Sequence, residues 1–256
     1  MNSSRRDPAS AFAPAANPFV REQDGAVSLH FEIEGIQSQM RLEEPDQLVL
    51  GYTRTMMAFL LLNHRPKSIA MIGLGGGSLA KYCRRYLPQA SITVVEIAPE
   101  VIALRERFFI PPDDEKFQVV CADGADFTAR APQLYDVLIV DGFDATGQPE
   151  QLCTQEFYDN CYRCLTARGV LVVNLCDFDM GAYTTRIRRS FHNQILEVYS
   201  EDGTNKIVFA GKGGALLQSE AQFFRRLRQV ECHHPIDFSR VACRMSGRQG
   251  LFPVSE

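Results

Sequence analysis

The sequence predicts an α/β protein built on a Rossmann-like, doubly wound parallel sheet with a small N-terminal β-hairpin ahead of it. Three observations lead to this. After Pro66, short apolar runs alternate with helical segments, as in βα units that feed a parallel sheet buried on both faces. The first of the turns between them, Gly73-Leu-Gly-Gly-Gly77, is nearly all glycine. Acidic residues, Glu96, Asp123 and Asp141, then close or follow the next three runs.

Residues 1 to about 24 are rich in Ala, Pro, Ser and Asn without periodicity, and are expected to be a poorly ordered arm. Val27–Ile33 and Ile36–Leu42 alternate around Glu34-Gly35 and are expected to form the hairpin. Tyr52–Leu62 is a helical run that stops before Pro66. The strand candidates are Ile69–Ile72, Ile92–Val95, Phe117–Val120, Val137–Val140 and Val170–Val173, with helices expected at Leu79–Leu87, Pro99–Phe109, Asp123–Ala129 and Thr154–Leu165. Gln194–Tyr199 and Ile207–Ala210, joined by a turn-rich segment, are expected to make an antiparallel edge. Residues 229–256 show no clear period. The organisation read from this is an arm (1–24), a hairpin and linking helix (25–66), a nucleoside-binding domain (67–228) and a C-terminal tail (229–256).

Composition narrows the function. A chain of 256 residues with 45% hydrophobic content can bury one full core. Its 27 basic and 31 acidic residues are mixed along the chain to a net charge of -4, leaving no basic stripe for nucleic acid. No apolar run approaches the ~20 residues of a membrane span, and the first residues lack the apolar stretch of a secretory signal. A cytoplasmic protein is expected, with no membrane and no nucleic acid among its partners. Of the eight cysteines, Cys161 and Cys164 share a helical face with Phe157 and are read as small buried hydrophobes. Cys232-His233-His234 has no second cluster at zinc spacing, so no metal is expected.

A glycine turn without Cβ atoms lets a ligand approach the backbone beside the free N–H groups of the following helix. Glu96, at the second strand end, is placed to accept hydrogen bonds from both hydroxyls of a ribose. Asp123, before Gly124, either accepts from an adenine amino group or simply caps the next helix. Together these positions describe a nucleoside crevice at the carboxyl edge of the sheet, to which Asp141 and Asp144 add two carboxylates.

These motifs resemble the spermidine synthase family of polyamine aminopropyltransferases, whose glycine loop IGGGDGG, VEID, GDG, D-S-S/T-D-P and L-Y/F-T-x-E-F-Y elements correspond to Ile72–Ser78, Val95–Ala98, Ala122–Gly124, Asp141–Ala145 and Leu152–Tyr158. The match runs from about Gln37 to Leu175, and the segment ahead of the glycine loop is shorter than the family's usual N-terminal β-domain. The resemblance implies the doubly wound sheet of the S-adenosylmethionine-dependent methyltransferase type and a decarboxylated S-adenosylmethionine donor held by Gln37, Gly73, Gly75, Gly76, Gly77, Glu96, Asp123 and Gly124. It further implies Tyr52 beside the amine, Asp141 to receive or relay the amine's proton, and Asp144 to hold an ammonium. The acceptor would be a small-molecule amine, and a homodimer is compatible with it.

The departures bear on specificity. Gly76 stands where the family has the carboxylate expected to pair with the donor's free amine, and Ala98, Gly142, Phe143 and Ala145 replace Asp, Ser, Ser/Thr and Pro. Gly76 is compatible with ordinary S-adenosylmethionine as donor. The alternatives are therefore a methyltransferase acting on a small acceptor, or a non-catalytic nucleoside-binding homologue.

Overall fold

The computed structural model describes residues 18–32, 35–131, 134–144, 147–176 and 179–247. Most of the expected arm, Ile33 at the end of one expected strand, Ala145 and the last nine residues lie outside them.

Three short strands open the chain: β1 (Phe19–Gln23), β2 (Ala26–His30) and β3 (Ser38–Arg41), paired antiparallel in that order. The expected hairpin is thus β2–β3, with Ala26 opposite Arg41. β1 corrects the boundary at 24. Gln23 and Ala26 flank an Asp24-Gly25 turn with both φ values positive, 51° and 72°, the geometry that joins tight hairpins. The Asp-Gly pair signals that turn in the sequence, but Phe19–Gln23 follows an Ala/Pro-rich stretch and buries little, so it lacks a strand's apolar alternation.

α1 (Gly51–Met56) continues into a 3-10 turn at Met57–Leu61, the expected run after the hairpin. Then come β4 (Ser68–Ile72), α2 (Ser78–Tyr86), β5 (Ser91–Glu96), α3 (Pro99–Ile102), β6 (Phe117–Cys121), α4 (Gly124–Ala129), β7 (Tyr135–Val140), α5 (Gln155–Cys164) and β8 (Leu165–Leu175). The helix expected over Pro99–Phe109 is broken: after α3 the chain tightens into a 3-10 turn at Glu106–Phe108 and ends with Phe109 at φ 53°. α6 (Met180–Ser190), β9 (Ile195–Tyr199), β10 (Lys206–Gly211), α7 (Glu220–Glu231) and α8 (Ser239–Ser246) complete it.

The seven-stranded sheet has the order β6-β5-β4-β7-β8-β10-β9. Its first five strands are parallel, while β10 inserts antiparallel between β8 and β9. The continuous apolar runs of β4, β7 and β8 feed two cores. Ile69, Met71, Val137, Ile139, Val170 and Val172 face the core shared with α2, α7 and α8, and Ala70, Ile72, Leu138, Val140, Leu171 and Val173 face the one shared with α5 and α6. The boundary drawn at 228 falls inside α7, which buries Phe223, Leu227 and Val230 in the first core, and α8 adds Val241, Ala242 and Met245. The tail therefore belongs to the main domain as far as Gly247. Among the described residues no helix is long and apolar enough to cross a membrane.

Candidate active site

The strand order reverses between β4 and β7, and a cavity of about 1080 Å³ opens at the carboxyl ends of these strands and of β5 and β6. Gln37, Tyr52, Gly73, Gly75, Glu96, Asp123, Gly124, Asp141 and Asp144 line it, all of them expected site residues. Gly76 and Gly77 are not among the lining residues.

Gly73 is required where it stands. Its φ is 98°, and a Cβ there would lie 2.2 Å from the Asp141 carbonyl oxygen, so the glycine turn packs directly on the end of β7. Gly76 leaves no room for a side chain. A Cβ on it would meet Ser38 Oγ at 2.7 Å and the Phe108 ring at 2.8 Å, while one on Gly77 would meet Ile110 at 2.5 Å. Both glycines let α2 pack behind the cavity. Phe108 is held there by Lys81, a buried side chain whose ammonium donates to the Phe108 carbonyl at 2.7 Å and lies 2.9 Å from Met40 Sδ. Burial pushes Lys81 down to about 8. Ser38, on β3, instead lines the cavity with its Oγ 3.4 Å from that of Ser78, the first residue of α2.

Glu96 ends β5, and each of its carboxylate oxygens accepts one backbone N–H at 2.9 Å, from Leu74 in the glycine turn and from Ala98. The side chain thus braces the loop and still keeps lone pairs toward the cavity. Asp123 caps α4: its Oδ1 accepts from Ala125 N at 2.6 Å and Asp126 N at 3.3 Å. Its Oδ2 accepts from Gln151 at 3.3 Å, so the capping role and a place in the cavity wall coexist.

Asp141 follows β7 and is gripped from two sides. Tyr52, on α1, donates its hydroxyl to Oδ2 at 3.2 Å, and Asn174, on β8, donates its amide to Oδ1 at 2.8 Å. Asn174 in turn accepts from Asn205 at 2.9 Å. Burial raises the Asp141 carboxyl above the ordinary carboxylate value, opposed by the Asn174 and then the Tyr52 hydrogen bond. Burial, and next the Asp141 charge, push the Tyr52 phenol well above its usual value. Tyr52 was expected beside an amine; its hydroxyl here is committed to Asp141. Asp144 starts the loop beyond, its backbone N–H donating to the Gly147 carbonyl at 2.9 Å.

Among the described residues the cavity wall carries the carboxylates Glu96, Glu100, Asp123, Asp141, Asp144, Glu150 and Asp179 against one guanidinium, Arg186, which strongly favours a cationic guest. Ser38, Asn174, Asp179 and Arg186 were not singled out from the sequence. Asn174 had a signal, a lone polar residue inside the apolar run Val170–Leu175. Arg186, on α6, and Asp179, just before that helix, had none, because the sequence does not mark the helix.

The spermine/spermidine synthase domain matches residues 49–202. The chain belongs to the spermine/spermidine synthase family. It is 35% identical over 229 residues to a polyamine aminopropyltransferase of Chromobacterium violaceum, covering 88% of each chain. It is 33% identical over 244 residues to one of Neisseria meningitidis serogroup B, covering 92% of this chain and 93% of that one. In fold it is similar to the spermidine synthase of Thermotoga maritima (TM-score 0.64, 20% identity, 89% of this chain and 82% of that one). It is equally similar to human methyltransferase-like protein 13 in complex with SAH (TM-score 0.64, 23% identity, 78% and 96%). Membership and fold agree with the family motifs described above.

Other residues with metal-like or redox character have structural environments. Cys161 and Cys164 are buried free thiols, and Cys164 Sγ lies 3.0 Å from the Thr128 carbonyl. Burial pushes Cys164 up to about 11. His234 shares a 2.9 Å hydrogen bond with the Tyr82 hydroxyl, and burial pushes it down to about 4. Among the described residues no cluster of His, Cys, Asp or Glu is placed to hold a metal ion.

Proposed function

We propose that the protein is a polyamine aminopropyltransferase, moving an aminopropyl group from decarboxylated S-adenosylmethionine to a small amine. The observation that carries the reading is Asp141, a carboxyl raised by burial and fixed by Asn174 and Tyr52 in an otherwise acidic cavity next to the glycine turn. The acceptor nitrogen attacks the donor's sulfonium-bound CH₂. A C–N bond forms as the C–S bond breaks, the sulfonium's bonding pair leaves with a neutral thioether, and the nitrogen sheds a proton.

An amine with a pKa of ~10.4 gives that proton poorly to an ordinary aspartate at ~3.9. The raised Asp141 narrows the mismatch, and its two hydrogen bonds point it without neutralising it. Asp144 and the remaining carboxylates receive the acceptor's other ammonium. Glu96 takes the ribose and Asp123 the adenine, while Gln37, Gly73, Gly75 and Gly124 line the nucleoside path. Tyr52 and Asn174 act as positioning residues.

One observation favours ordinary S-adenosylmethionine as a second reading of the donor. The part of the cavity at the start of α2 is lined by the neutral Gln37, Ser38 and Ser78, and Phe108 and Ser38 fill the space of the family's carboxylate at Gly76. Incubation with putrescine and each donor, read by mass spectrometry, separates the readings. Spermidine with methylthioadenosine supports aminopropyl transfer, S-adenosylhomocysteine supports methyl transfer, and no product with either donor defeats both.

A further inference from the structure

At the opposite edge of the sheet, where β4 and β8 begin, a second concavity of about 700 Å³ lies between α7, the loop before β4 and the start of β8. Its ionisable lining is all basic: Arg168, Arg225, Arg226 and His64, with no Asp or Glu among the described lining residues. None of the four makes an ion pair among the described residues. In a chain of net charge -4 this is an uncompensated cluster, and its members are close enough to disturb one another. Arg226 is shifted down by burial and by Arg168, and His64 by burial and by Arg226 and Arg65.

The hydrogen bonding leaves donors to spare. Arg226 spends one nitrogen, Nη1, on the Leu61 and Leu62 carbonyls, and Arg168 spends Nη2 on the Gly214 carbonyl at 3.2 Å. Gln222 turns its carbonyl oxygen to Ser219 N in the capping box that starts α7, so its NH₂ is a further donor. Guanidinium pairs with amide donors beside them suit the several oxygens of a phosphate group.

We infer that this basic cleft is an anion site for a phosphate group, separate from the transferase cavity and at the other end of the sheet. A dianion there relieves the repulsion among the guanidiniums and turns the field at His64 from one that disfavours its proton to one that favours it. The shared chemistry is the phosphate; inorganic phosphate and a phosphate monoester are its two sources.

The test is a titration of the full chain with inorganic phosphate and, in parallel, ribose 5-phosphate, at ionic strength held constant with sodium chloride. His64 is followed by two-dimensional NMR, with His64→Gln assigning its signal. Saturable binding of either probe that raises the His64 pKa supports the site, and the tighter probe identifies the source. The Arg168→Gln/Arg225→Gln double variant changes two exposed side chains and is expected to keep the wild-type circular dichroism and transferase activity. It should weaken binding by about tenfold or more. No saturable binding, a His64 pKa that follows ionic strength alone, or binding undiminished in the double variant overturns the inference.

Discussion

Asn174 donates its side-chain amide to Asp141 Oδ1 at 2.8 Å across neighbouring parallel strands, where Val140 pairs with Val173 just before them. That bond lowers the Asp141 pKa against the larger effect of burial. Asn174→Ala should raise it further and move the acidic limb of the kcat profile to higher pH. It also leaves the Asn205 amide without its partner, at a cost of ~1–3 kcal/mol in stability. A pH–rate series with urea unfolding checks both, and an unmoved limb would show that Asp141 is not the titrating group.

Asp141→Asn should slow turnover sharply yet stabilise the fold. A raised carboxyl binds its proton in the folded state at a pH where the unfolded chain has lost it. Its stabilising contribution is therefore complete below the unfolded value of ~3.9 and disappears as pH rises through the folded value. At pH 7 the charged group is a liability that Asn removes, with either partner still able to hydrogen-bond. Loss of a proton acceptor costs ~10²–10⁴-fold in rate. The variant should melt above wild type at pH 7, with the gap closing under pH ~4. A lower Tm at pH 7 would refute this account.

Gly76→Asp restores the family residue in sequence but not in space, because its Cβ collides with Ser38 Oγ and the Phe108 ring. Overpacking of this kind costs ~1–3 kcal/mol, so reduced Tm is expected without a clean change of donor. Ser38→Asp is the better placed carboxylate, since Ser38 already lines the cavity. It should shift the affinity ratio toward the decarboxylated donor by about tenfold to a hundredfold, read by calorimetry with both donors. An unchanged ratio would move the donor's amine elsewhere.

Glu96→Gln should weaken methylthioadenosine binding by ~1.5–3 kcal/mol. It should also lower Tm, because one oxygen that now accepts from Leu74 or Ala98 becomes an NH₂ facing a donor. Retained affinity in a destabilised variant would confine Glu96 to bracing the glycine turn.

Cys161→Ala with Cys164→Ala should lower stability by a few kcal/mol, as buried large-to-small changes do, while kcat per folded molecule stays at the wild-type value. A loss of kcat in the folded fraction would place these thiols in the reaction.

The main sheet was legible because its order of elements is written in local chemistry. Apolar runs buried on both faces, a glycine-rich turn and acids at strand ends are properties of neighbouring residues, and the family motifs are contiguous. Legible too were the positions of Glu96, Asp123, Asp141 and Asp144 on one edge, because parallel strands bring their carboxyl ends together. Only the tertiary structure decided that a side chain on Gly76 would meet Phe108 and Ser38, that Ser38 lines the cavity, and that Asp141 is gripped by Tyr52 and Asn174. It alone showed that Arg168, Arg226 and His64 share one cleft. These contacts join residues far apart in sequence, Tyr52 and Asp141 being 89 apart. Side-chain direction and burial at such a distance come from packing two cores on one sheet, not from any local pattern.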